Sequence, residues 1–185
     1  MMGRAHYSKH GKISKLLSQD EFITKAEKIR KKRMRACVTL LFYTGVRVGE
    51  LIRALKEQFW INEGMLNFDV GPREKTKRLT SPLQIPVTAP LMDNVVQVIK
   101  YTRKGQRVFP CTRATVWRTI GIYFDAYPHY FRLNRITQFL VAGFSLPEVI
   151  SWSGHKNIFG LEAYIGQASV KRLGESLKKM GEQQR

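Results

Sequence analysis

Five polar side chains in this 185-residue chain stand where their types and spacing suit chemistry: Arg47, His129, Arg132, His155 and Tyr164. Arg47 follows the Thr44-Gly45 break between two apolar runs, a junction where a solvated arginine is not expected, and Glu50 is placed to orient it. His129 and Arg132, three residues apart, share one face at the start of a helix. His155 closes the next apparent helix in "SWSGHKN", and Tyr164 follows it by nine residues among small and apolar neighbours. Taken singly, each has an ordinary reading: Arg47 as a structural ion pair, His129 as a surface residue after Pro128, His155 as a dipole partner, Tyr164 as a packing residue. Taken together, they suit nucleophilic attack on phosphorus without a metal. A hydroxyl attacks, cations stabilise charge on the non-bridging oxygens, and a general acid protonates the leaving alkoxide. Arginine fits the stabilising role because its planar fork donates two parallel bonds to one phosphate. Such a site also needs a lysine.

The charge balance points to the same class of substrate. Thirty-two Lys and Arg against fourteen Asp and Glu leave a net charge of +18. A field of that sign attracts polyanions, nucleic acid first among them. The run "RKKRMR" adds Arg30, Lys31, Lys32 and Arg33 as candidate phosphate contacts, although such runs are commonly solvated helix faces. A metal-dependent nuclease is disfavoured: the acids are scattered, and HExxH, Walker A and zinc-finger spacings are absent. No metal or other cofactor is implied. No run approaches 18 apolar residues and the N-terminus has no apolar signal core, so neither a membrane span nor a secretory signal is expected. Cys37 and Cys111 are isolated and lack metal-ligand spacing, which suits a reducing, cytoplasmic setting without a disulfide framework.

The elements that must carry these residues read as mainly α with a small antiparallel β-sheet, an α+β domain. Residues 1–15 form a basic arm, 16–168 the main domain, and 169–185 a C-terminal segment. Ser18 with Glu21 has capping-box spacing, and "ACVTLLFYTG" reads as a buried helix ending at Gly45. "VGELIRALKE" resumes helical spacing through Leu51, Ile52 and Leu55. "FWINEGMLNFDV" alternates around an Asn-Glu-Gly turn, and "SPLQIPV" follows, giving two or three strands with "GPREKTKRLT" as a basic hairpin tip. Helices return in "APLMDNVVQVIKYTRKG", in "TRATVWRTIGIYFDAY" behind Thr112, and in "LNRITQFLVAG" up to Gly143. Ser145, Pro147 and Glu148 start another. Val170, Leu173, Leu177 and Met180 fall on one face of a last amphipathic helix.

In order, "TGVRVGEL", a basic hairpin, and "HYFRLNRITQFLVAGFSLPEVISWSGHKNIFGLEAYI" resemble the catalytic domain of tyrosine recombinases, the phage-integrase family. That family has a "TGxRxxEL" box, a hairpin lysine, "HxxR", an "LGH" box, and a tyrosine nine residues after the last histidine. The resemblance runs from about Ser18 to the end of the chain, with Gly143 also at the expected distance from His129. It implies that Arg47 and Arg132 hold the scissile phosphate and its pentavalent transition state. His155 adds a hydrogen bond, and His129 assists proton transfer at Tyr164. Tyr164 attacks, giving a 3′-phosphotyrosyl link and a free 5′-hydroxyl, and the partner strand's 5′-hydroxyl later reverses the link without ATP. Lys75, in the Lys75-Thr76 pair, matches the hairpin general acid best, with Lys77 the alternative. Arg73 and Arg78 flank them as candidate DNA contacts.

Departures from the pattern are "HYFR" for "HxLR", Ser153 for the leucine before Gly-His, and Gly160-Leu161 for the threonines before the nucleophile. The expected partner is duplex DNA, with self-association as a dimer or tetramer on it, in a virus or mobile element. Most members carry an accessory N-terminal DNA-binding domain where this chain has only the basic arm, which leaves a fragment and a minimal recombinase both open. For the C-terminal helix, docking on its own domain and on a neighbouring protomer are equally open. Two other functions stay open: a type IB topoisomerase-like enzyme, which uses similar Arg, Lys, His and Tyr chemistry, and a non-catalytic module whose basic surface binds DNA.

Overall fold

The computed structural model describes residues 16–71, 81–155, 161, 164–166 and 168–169. The order is α1 (Gln19–Glu27), α2 (Lys32–Thr44), α3 (Val48–Arg53), β1 (Phe59–Asn62), β2 (Met65–Phe68), β3 (Leu83–Pro86), α4 (Met92–Lys100), α5 (Arg113–Phe124), α6 (Pro128–Ala142) and α7 (Leu146–Ser153). The three strands form one antiparallel sheet in the order β1-β2-β3, turned between β1 and β2 by Glu63 and Gly64 at positive φ. The domain is thus the expected mainly helical one with a small sheet. The basic segment holding Arg73, Lys75, Lys77 and Arg78 lies outside the described residues, as do residues 1–15 and the helix expected after 169.

Local rules account for most element ends. Ser18 Oγ accepts from the Glu21 amide at 3.2 Å, and Thr112 Oγ1 does the same for Thr115 at the start of α5. At α7, Ser145 N donates to Glu148 Oε2 at 2.7 Å, the carboxylate arm of a capping box. Two expected boundaries differ. α3 stops at Arg53, and Leu55 instead forms an isolated antiparallel bridge with Arg107, because the backbone is drawn into the loop before α5. α6 begins at Pro128, earlier than the apolar spacing alone suggests; proline at the first helical position supplies the start.

The core is strongly aromatic where the helices cross. Phe22 of α1 stacks on Phe42 of α2 with centroids 3.9 Å apart, and Phe131 of α6 meets Phe22, Phe42 and Phe124 edge-on. A second cluster joins Leu133, Ile136 and Leu140 of α6 to Val149 of α7, Leu161 and Tyr164. α6 therefore lies in both, and its register is fixed on two sides. Leu17 is strapped to it as well, its amide donating to Asn134 Oδ1 at 2.9 Å. Cys37 and Cys111, distant in sequence, meet in the fold and are both free thiols; the Cys37 S–H bond pulls Cys111 down to about 7.

Gly45 ends α2 with φ at +61°, and a Cβ there would come within 3.1 Å of Arg135 Cβ and 3.5 Å of the Arg132 backbone. A left-handed conformation and a close approach are both demanded of one residue. Gly45→Ala is expected to destabilise the domain by about 1–3 kcal/mol, read as a lower denaturation midpoint in urea with unchanged slope.

Candidate active site

The turn after α2 is held by two long-range bonds. Trp152 Nε1 of α7 donates to the Thr44 carbonyl at 2.8 Å, and Arg132 Nη1 of α6 donates to the Gly45 carbonyl at 2.9 Å. The other arm of Arg132 donates to the Ser153 carbonyl at the end of α7. Arg132 is 3% exposed, so its charge is largely cut off from water and held by these oriented carbonyl dipoles among its contacts. Three elements meet at one side chain.

Arg47 emerges two residues after the same turn, as the N-cap of α3. Its backbone amide donates to Glu50 Oε2 and its Nη1 to Glu50 Oε1, both at 3.0 Å. The Glu50 side chain is 7% exposed while that of Arg47 keeps 31%. Glu50 thus anchors Arg47 at both ends and leaves its outer edge facing the solvent side.

Arg47, Glu50, His129 and Arg132 line one cavity of about 470 Å³. Its other walls are Val46, Val48, Arg113, Trp117 and Pro128. His129 stands exposed at the edge of this cavity, and desolvation by the packed walls beside it, followed by the positive charges of Arg132 and Arg47, lowers it below its ordinary value of 6.5. At neutral pH the ring is therefore an uncharged imidazole with one lone pair to accept a proton.

His155 follows the left-handed Gly154 that ends α7, and its Nδ1 lies 2.6 Å from Ser153 Oγ. Its ring stands 6.1 Å from that of Tyr164, centroid to centroid. Tyr164 is 6% exposed and packs in the second apolar cluster. Burial raises its phenol above 10, while Arg132 and then Arg47 pull it the other way. The packing and chemical readings of Tyr164 are therefore compatible: the ring is buried, and its hydroxyl lies within the field of both arginines.

Of the residues expected to act together, Arg47, His129, Arg132, His155 and Tyr164 are gathered around one place, with Glu50 behind Arg47. The cluster Arg30, Lys31, Lys32 and Arg33 is not. It is exposed at the N-terminal end of α2, about 20 Å of helix away from Gly45. Cations there oppose the helix dipole, so intrinsic helix stability does not explain them. Lys75, Lys77, Arg73 and Arg78 lie outside the described residues. Among the described residues there is no group of three or more potential metal ligands, and no helix is long and apolar enough to cross a membrane.

Two lining residues escaped the sequence reading. Arg113 and Trp117 sit one turn apart on α5. A Cβ on Gly49 would lie 3.0 Å from Arg113 Nη2, so glycine lets that guanidinium rest against α3. Trp117 is 59% exposed and stacks on Tyr127 at 5.8 Å. A tryptophan on the polar side of a capped helix was the available signal.

No protein-family description and no curated protein matches the chain in sequence. Solved structures do match in fold. The XerH site-specific recombinase, in a post-cleavage complex with a palindromic difH substrate, superposes with a TM-score of 0.69 at 16% identity, covering 92% of this chain and 55% of that one. XerA recombinase gives 0.60 at 22% identity over 97% and 69%. A lambda integrase dimer bound to a COC′ core site gives 0.56 at 18% over 81% and 58%. The chain spans about half the length of the XerH recombinase. With the helical order, the three-stranded sheet and these superpositions together, the chain has the fold of the tyrosine-recombinase catalytic domain.

Proposed function

We propose that the chain cleaves and rejoins duplex DNA as the catalytic domain of a site-specific recombinase or integrase. The observation that carries this reading is the convergence of Arg47, His129 and Arg132 on one cavity, with both arginines acting electrostatically on Tyr164. A phosphodiester bound between the guanidiniums presents its phosphorus to the phenol. Tyr164 Oη attacks, the bond from phosphorus to the 5′-oxygen breaks, and a 3′-phosphotyrosyl link remains. His129, neutral at working pH, accepts the tyrosine proton directly or through water. His155 donates to a non-bridging oxygen, and Lys75, or Lys77 beside it, protonates the leaving 5′-oxygen. Attack by a 5′-hydroxyl reverses the sequence, so the bond energy is conserved and neither metal nor ATP enters the balance.

The +18 charge supports binding to a polyanion. Arg30, Lys31, Lys32, Arg33, Arg73 and Arg78 serve as backbone contacts beyond the scissile phosphate. The matched lambda integrase is a dimer on its core site, and the same self-association on DNA, as dimer or tetramer, is part of the proposal. So is an accessory DNA-binding domain acting with this one, on the pattern of the longer relatives. A virus or mobile element is the natural carrier, and the action is on cytoplasmic DNA.

Incubation with nicked duplexes carrying candidate attachment sites is expected to trap a covalent adduct that peptide mass spectrometry maps to Tyr164. Tyr164→Phe should abolish it while leaving DNA binding within about twofold, since one hydroxyl contributes little to a polyelectrolyte interaction. Supercoil relaxation without synapsis would move the assignment to a topoisomerase-like enzyme. DNA binding with no adduct, even when the accessory domain is supplied, would leave a binding module.

A second expectation concerns pH. Because His129 is lowered from 6.5 by desolvation and by Arg132 and Arg47, its acceptor form persists below the pH at which a free histidine charges. The cleavage rate should be level near neutrality and fall as pH drops through that lowered value. The histidine's contribution to stability should be lost earlier, as pH drops from about 6.5 to that lowered value, because over that interval the unfolded chain holds the proton and the folded chain does not. His129→Gln should slow cleavage by about 100-fold and remove the inflection from the rate profile.

A further inference from the structure

Position 153 is one of three places where the chain departs from the recombinase pattern, with serine in place of an apolar leucine. The site is not a polar surface: Ser153 is 2% exposed. A hydroxyl buried without a partner costs about 1–3 kcal/mol, so what it bonds to matters. Its Oγ lies 2.6 Å from His155 Nδ1, while its carbonyl receives Arg132 Nη2. One residue thus touches two of the gathered side chains, one through its backbone and one through its hydroxyl.

The direction of the hydroxyl bond decides what His155 can do. A neutral imidazole carries a single N–H. If Ser153 O–H donates to Nδ1, the ring proton resides on Nε2, and Nε2–H is a donor for a phosphate oxygen. If Nδ1–H donates to Ser153, Nε2 presents a bare lone pair, which repels that oxygen. The electrostatics favour the first arrangement once an anionic phosphate is bound nearby.

We propose that Ser153 is a positioning residue for DNA cleavage, its hydroxyl donating to His155 Nδ1 so that Nε2–H is held toward the scissile phosphate. The inference rests on the recombinase reading of the site. It assigns a residue that breaks the family pattern a task which leucine, having no donor, cannot perform. Ser153→Ala removes the hydroxyl alone, because the contact to Arg132 runs through the backbone carbonyl.

The test uses ¹⁵N-histidine-labelled protein in wild-type, Ser153→Ala and Ser153→Thr forms. In the wild type, the His155 spectrum should show protonated Nε2 and an Nδ1 shifted upfield by an accepted hydrogen bond. Ser153→Ala should move Nδ1 toward the position of an unbonded imine nitrogen, and Ser153→Thr should hold it in place. In the nicked-duplex assay, the rate of adduct formation should fall about tenfold in Ser153→Ala with DNA affinity unchanged, and Ser153→Thr should recover most of it. A protonated Nδ1 in the wild type, or a spectrum and rate indifferent to Ser153→Ala, overturns the proposal. The two readings fail separately. A wild type that forms no Tyr164 adduct even with the accessory domain supplied removes the recombinase reading, whereas a normal adduct from Ser153→Ala removes only the positioning role.

Discussion

The guanidinium of Arg132 is a cation with almost no access to water, and the domain is assembled around keeping it there. Stripping a charge of solvent costs several kcal/mol even after relaxation, and bonds to charged groups return about 1.5–3 kcal/mol each. The carbonyls of Gly45 and Ser153 supply two of these bonds, one from the end of α2 and one from the end of α7. Both are helix C-terminal carbonyls, where the partial negative charge of the macrodipole gathers. A buried cation placed between two such ends ties three helices to one point. The left-handed glycines at 45 and 154 end α2 and α7 beside it.

Apolar packing makes that point rigid. Phe131, next to Arg132, is fully buried among Phe22, Phe42 and Phe124, and Leu133 on its other side belongs to the cluster that holds Tyr164. Rotating α6 by one residue would break both clusters at once. The orientation of Arg132 is therefore set by hydrophobic surface at positions 131 and 133, not by its own bonds alone. The same cluster places the Tyr164 ring, so the cation and the phenol are positioned by one body of packing.

Around this frame the charges are graded by exposure. The Glu50 side chain is little exposed and holds Arg47, which remains partly open. His129, exposed at the cavity edge, is kept neutral by desolvation against the cavity wall and by the charges of Arg132 and Arg47. Tyr164 is kept protonated by burial, with the arginines opposing. An anion entering the cavity would alter each balance in turn, since it offsets the two positive charges that bear on both rings. The resting site is thus a cationic pocket in which His129 and Tyr164 are both uncharged.

Much of the architecture is legible in the order of residues. Hydrophobic spacing, the Ser18, Thr112 and Ser145 caps, and the glycines at 45 and 143 are local signals, and they fixed where most helices begin or end. The Asn-Glu-Gly turn fixed the first hairpin of the sheet. The spacing of Arg47, His129, Arg132, His155 and Tyr164 marks the candidate site along the chain. Less legible were the early start of α6 and the release of Leu55 from α3, because the second depends on pairing with Arg107 from a distant loop. Convergence, by contrast, is a property of the packed helices. That Arg113 and Trp117 share a wall with Arg47, that Cys37 meets Cys111, and that the basic run at 30–33 lies far from the cavity follow from how helices cross. Ser153 could be seen as a departure in the sequence. Its contact with His155 requires a left-handed turn at Gly154 to fold the imidazole back on the helix end, and backbone geometry of that kind is set by the packing of α7 on α6 and α2.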